Sequence, residues 1–227
     1  MSQQPIVSVR GSAQLAVEPE TAVVHVSVLV RDKSRERAEA RLVELSATIG
    51  EAIEKHGAAL RRHHAGTVSV YPVMRTRKTD KPESFEGRRT WTVDVRDFDA
   101  LPEILGDLTV SDAVQIHGPM WKLETGSPVY QRARVAAVAD AVERARAYAA
   151  AFGASIDQLL EVADLGMATD GAAVQGFAGQ TMMRGSASGG APAIEQIDME
   201  PATQYVNGGI EARFTMTAPD LDAPTRS

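Results

Sequence analysis

Residues 6–31 read IVSVRGSAQLAVEPETAVVHVSVLVR, and this stretch decides the fold. Val7, Val9, Ala13, Leu15 and Val17 alternate with Ser8, Arg10, Ser12 and Gln14. A period of two places the first set on one face of a half-buried strand. Gly11 interrupts it, which predicts a bulge or the close approach of another backbone. Glu18-Pro19-Glu20 is a turn signal. Residues 21–31 form a second strand, with Ala22, Val24, Val26, Val28 and Val30 on an unbroken apolar face. These two strands are expected to pair as a hairpin.

Outward from this core the period changes. Over 34–56, Ala38, Leu42, Leu45, Ile49, Ala52 and Ile53 recur at helical spacing, with Ser34 as N-cap and Gly57 as stop. This reads as a surface helix packed on a sheet, with a coiled-coil partner helix as the alternative. Residues 67–77 and 88–96 read as the next hairpin. Trp91, Val93 and Val95 face in, Thr92, Asp94 and Arg96 face out, and Pro72 marks an edge strand or a bulge. A short helix follows over 99–108, capped by Asp99. Residues 113–124 form a strand interrupted at Gly118-Pro119.

Residues 127–152 form the longest helix. Ser127 is its cap and Pro128 its first residue, where a missing N–H costs nothing. Val135, Val138, Ala139, Val142, Ala145, Ala149 and Phe152 are expected on its buried stripe. A strand is predicted over 156–168 and a second C-terminal strand region over 194–200 and 205–218, with Val206, Ile210, Ala212, Phe214 and Met216 pointing inward. Between them, residues 170–193 are rich in Gly, Ala and Ser and are expected to be a flexible loop. The tail 219–227 is expected to be disordered.

The order β-β-α-β-β-α-β-α-β-β predicts an α+β fold. It would be a largely antiparallel sheet in two lobes, about 6–97 and 98–218, with two long helices on one face. The whole of 6–218 reads as one domain.

Composition narrows function by exclusion. There is no cysteine, which removes disulfides, thiolate nucleophiles and cysteine metal sites. The net charge of −6 argues against a nucleic-acid partner. Apolar runs fall far short of the ~20 residues of a membrane helix, so no membrane insertion is expected. The opening Met1-Ser2-Gln3-Gln4-Pro5 has neither the basic nor the apolar region of a secretory signal, and the expected location is the cytoplasm. No nucleophile elbow, phosphate loop or HExxH spacing occurs. The reading is therefore non-enzymatic, with no catalytic residue, cofactor or metal. His63-His64 fall in RRHHAG, read as a solvated loop, and His25 lies opposite the valines as a half-exposed strand residue.

Two features could contact partners. Arg75, Arg77, Arg88 and Arg89 cluster about the second hairpin with Lys78 and Lys81, diluted by Asp80, Glu83 and Glu86. This is either a charged hairpin that blocks edge-to-edge aggregation or a contact for an acidic partner. Phe177, Met182 and Met183 are apolar anchors within 170–193, either in a disordered insertion or in a loop that orders on contact.

The opening VSVRGSAQLAVEPETAVVHVSVLVRDKSRERA resembles the SIMPL-domain family. That family is named for a signalling molecule associated with a pelle-like kinase and includes bacterial periplasmic immunogenic proteins. Its pattern V-x-V-x-G-x-A, then a Pro, a valine-rich strand and a charged helix, is matched by Val7, Val9, Gly11, Ala13, Pro19, Val24–Val30 and Ser34–His56. WTVDVRDFDALPEILGDL, VQIHGPMWKLE with the Ala/Arg helix after it, and IEARFTMTA extend the resemblance over about 6–217. It implies an α+β fold, homo-oligomers in some bacterial members, and no established catalytic motif. The expected function is a self-associating scaffold or stress-associated assembly, with itself as partner. An adaptor binding another protein through 170–193 is the alternative. A ligand binder or enzyme lined by His25, His117 and Trp121 is the third reading.

Overall fold

The computed structural model describes residues 4–74, 82–165 and 199–220. Its strands are β1 (Ile6–Val17), β2 (Thr21–Asp32), β3 (Leu60–Val73), β4 (Ser84–Val95), β5 (Val114–Lys122), β6 (Ile156–Asp164) and β7 (Gln204–Met216). Its helices are α1 (Arg35–Lys55), α2 (Leu101–Leu108) and α3 (Pro128–Ala151). The expected element order and the α+β class are both present. The expected strand at 194–200 lies mostly outside the described residues, and Met199 and Glu200 are not in a strand. The 170–193 loop and nearly all of the tail are also outside them.

Two antiparallel sheets carry the fold. One has the order β1-β7-β6, the other β3-β4-β2-β5. The expected β1–β2 hairpin does not form. Tight hairpins need residues that accept positive φ, and Glu18-Pro19-Glu20 offers none. β1 instead runs antiparallel to β7. Met216 N–H donates to Pro5 O at 3.0 Å, Arg10 pairs with Glu211 at 2.8 Å, and Gln14 donates to Asn207 at 3.1 Å. The chain consequently divides into two interleaved compact units, not at residue 97. One holds β1, α3, β6 and β7; the other holds β2, α1, β3, β4, α2 and β5.

In the larger unit β2 is central, paired antiparallel with β4 and β5. Its one-sided packing explains the valine alternation: Ala22, Val24, Val26, Val28 and Val30 face the helices, while His25 and Ser27 lie on the other face. Val24, Val26, Val28, Trp91, Val93 and Val95 meet Leu42, Leu45, Ile49 and Ile53 of α1 and Leu101, Ile104, Leu105 and Leu108 of α2. Ser34 caps α1 as expected, accepting from Arg37 N–H. Asp99 does not cap α2. The cap position is Ala100, without a side-chain bond, and the Asp97 carboxylate takes the Asp99 N–H at 3.2 Å. RRHHAG is not a loop: residues 60–73 are one edge strand, in which His63 stands opposite Val93 and His64 opposite Thr92. Gly118 has φ +126, and the Gly118–Pro119 bond is cis, where β5 shifts register against β2.

The smaller unit is built on close approach. The buried side chains of α3 are Val129, Ala133, Ala137, Ala141, Ala145 and Ala149, an i,i+4 row of small residues. Val135, Val138 and Phe152, expected inside, are exposed. Gly11 and Gly208 explain the difference. A Cβ on Gly11 would meet Ala137 O at 2.0 Å, and one on Gly208 would meet Ala133 O at 2.1 Å. The helix lies so near the strand backbones that only an alanine face fits, and the bulkier valine face turns outward.

Candidate functional site

Alternation along β4 separates the two predicted arginines that the structure describes. Gly87, Arg89 and Trp91 face α1, whereas Arg88, Thr90 and Thr92 face the opposite side of the sheet. Arg75, Arg77, Phe177, Met182 and Met183 lie outside the described residues.

The guanidinium carbon of Arg89 stands 5.0 Å from the centre of the Trp91 ring, a cation–π contact. Its Nε and Ser46 Oγ are buried without a hydrogen-bond partner. Both residues line a concavity of about 250 Å³ with Leu42, Val43, Ala47 and Val68.

On the other face, three strands form a polar tray. His117 of β5 pairs with His25 of β2, and His25 pairs with Thr92 of β4. His25 Nδ1 and Thr92 Oγ1 share a hydrogen bond of 3.1 Å, which fixes the ring. Ser27 and Thr90 pair one step along. Together with Arg88 these residues line a concavity of about 370 Å³. The structure thus brings His25 and His117 together but not Trp121. Trp121 packs on the core side against Phe98, at 4.9 Å and 77°. Sequence reading placed Thr92 on the outward face but did not see that His25 and His117 would become neighbours, since their contact depends on β5 pairing with β2.

A third cluster joins α1 to α2. One ligand atom each from His56, Glu103 and Asp107 lies within 4.8 Å of the others. Lys55 already supplies the positive charge there, 2.6 Å from Asp107 and 3.5 Å from Glu103, and His56 Nε2–H donates to Asp107 at 2.7 Å. Lys55 first, then His56, hold the Asp107 carboxyl below its ordinary range. This is an ion-pair bracket between two helices.

The fourth feature is an open strand. Among the described residues, β6 ends the three-stranded sheet, and its residues Leu159, Leu160 and Val162 are 56%, 50% and 57% exposed. Exposed apolar residues on both faces of a strand at a sheet edge make a template for another strand.

Comparison with known proteins places the chain. A family model for SIMPL, described as a protein of unknown function (DUF541), matches residues 7–218. The chain belongs to the SIMPL family. Two relatives are the 26 kDa periplasmic immunogenic proteins of Brucella melitensis and Brucella abortus. Each is 25% identical over 173 residues, covering 73% of this chain and 69% of the relative. The resemblance read from the opening residues is therefore correct. The expected cytoplasmic location is overturned, because these relatives are named as periplasmic. Among the described residues no helix is long and apolar enough to cross a membrane. In this SIMPL chain the V-x-V-x-G-x-A pattern has a physical meaning. Val7 and Val9 are buried against the alanine row of α3, and Gly11 admits the helix backbone.

Proposed function

We propose that this SIMPL protein is a non-enzymatic, self-associating protein of the bacterial periplasm, in which copies join through the edge strand β6. The observation that carries the reading is the exposure of Leu159, Leu160 and Val162 on the strand that, among the described residues, ends the three-stranded sheet. The periplasmic setting is taken from the printed names of the two Brucella relatives.

Antiparallel self-pairing about Leu160 is chemically consistent. It sets Leu159 opposite Glu161, Asp157 opposite Ala163 and Ile156 opposite Asp164, so no two carboxylates face each other. The arrangement is a closed two-fold contact, and the outward valines of α3 offer a second apolar surface to larger assemblies.

The test is solution mass by light scattering over a concentration series, with the Leu160→Cys variant beside it. A discrete multiple of 24.3 kDa is expected. The native chain has no cysteine, so an oxidised Leu160→Cys dimer reports the two-fold directly. A monomer at every concentration overturns self-association. An oligomer that gives no cross-link at Leu160, and keeps its mass in Leu160→Lys, overturns the β6 contact.

A further inference from the structure

The polar tray on the open face of the four-stranded sheet is independent of the β6 edge and has its own chemistry. Its residues form rows across the strands. His117, His25, Thr92 and His64 are successive cross-strand partners, and Gln115, Ser27 and Thr90 make the next row. One step further, Arg88 stands opposite Leu29 on one side and Ser69 on the other.

Among the described residues no carboxylate lines the concavity, in a chain whose 30 acidic residues outnumber its 24 Lys and Arg. The nearest acids on this face of β4 are already engaged. At one end, Asp94 accepts from Arg62 Nε at 2.5 Å. At the other, Glu86 accepts from Arg31 at 2.8 Å and from the Tyr71 hydroxyl. Arg88 adds its charge to those that hold Glu86 ionised, but the hydrogen bonds of Glu86 go elsewhere. Arg88 is exposed and makes no ion pair among the described residues. Among the described residues, the band between the two satisfied acids therefore holds a guanidinium without an ion pair, two adjacent imidazoles and three hydroxyls, and no carboxylate.

We infer that this tray binds the phosphate group of a small solute. Arg88 provides charge and a planar donor fork, Ser27, Thr90 and His117 offer donors to the remaining oxygens, and the hydrogen-bonded His25–Thr92 pair offers one more. A volume of about 370 Å³ exceeds what a lone tetrahedral anion fills, which leaves room for a small organic group. The paired imidazoles could also hold a divalent transition ion. Arg88 and the lack of carboxylates weigh against that, and the experiment separates the two.

The full chain is titrated calorimetrically with inorganic phosphate, with glycerol 3-phosphate, with glycerol and with zinc chloride. Binding of both phosphates and not of glycerol is expected. Arg88→Gln should weaken it by about tenfold or more. The double variant His25→Gln/His117→Gln should weaken it as well. All these positions are exposed, so thermal melting should be unchanged and a fold defect is distinguishable. Equal affinity for the two phosphates assigns the site to the free ion, and tighter binding of the ester assigns it to a phosphomonoester. Absence of phosphate binding at millimolar concentration overturns the inference. So does phosphate binding indifferent to Arg88→Gln, or zinc binding lost in the double variant without any phosphate response.

Discussion

Gly11 of β1 and Ala137 of α3 approach so closely that a Cβ on the glycine would lie 2.0 Å from the alanine carbonyl oxygen. The obstacle is helix backbone, which cannot rotate aside as a side chain would. Gly11→Ala should therefore cost about 3 kcal/mol, the upper part of the range for overpacking. Gly208→Ala should cost a similar amount at Ala133. Urea unfolding followed by circular dichroism measures both, and a loss under about 0.5 kcal/mol in either would show that the helix can move off the sheet.

Gly50 gives the opposite expectation. It lies inside α1 at negative φ, with nothing within 4 Å of a built Cβ. Replacing it by alanine removes freedom from the unfolded chain without meeting a neighbour. Gly50→Ala should stabilise by about 0.5–1 kcal/mol in the same unfolding experiment.

The outward turn of the α3 valines can be checked against a residue of known burial. Val135 is 62% exposed, so Val135→Ala should change stability by no more than about 0.5 kcal/mol. Ile49 is fully buried among β2, β4 and the helices, and Ile49→Ala should cost about 2–5 kcal/mol. Comparable losses at the two positions would mean that the valine face of α3 is covered.

Asp140 supplies a pH signature. It accepts the Ser12 N–H at 2.8 Å and pairs with Arg144, and these partners, Ser12 foremost, hold its carboxyl below the ordinary aspartate value. A lowered folded value means that the stabilisation is complete above the unfolded value. It is lost as pH falls through the folded one, in the region below about pH 4. Asp140→Asn should thus be less stable than the native chain at pH 6, and the gap should close on acidification. Denaturant melts from pH 3 to pH 7 would show it. A gap that stays constant would mean that the charge contributes nothing.

Much of the architecture was legible. The switch from period two to helical spacing located nearly every element, the caps Ser34 and Ser127 marked the two long helices, and Gly11 announced a close approach. The misreadings share one cause. The β1–β2 hairpin, the RRHHAG loop and the buried face of α3 were each judged from neighbours in sequence, whereas each is settled by a distant partner. For β1 that partner is β7, for His64 it is Thr92, and for Ala137 it is Gly11. The candidate tray was half legible: alternation put Thr92 outward, but nothing local could set His117 beside His25.

The sequence by itself determined the α+β class, the element order, the valine core of β2 and the membership in the SIMPL family, because periodicity and turn chemistry are local properties. Tertiary structure alone decided which strands pair, which face of α3 is inside, and that β6, among the described residues, ends its sheet with exposed leucines. Those outcomes depend on backbone hydrogen bonds and close packing between segments as many as two hundred residues apart, such as Arg10 and Glu211. No local pattern encodes them.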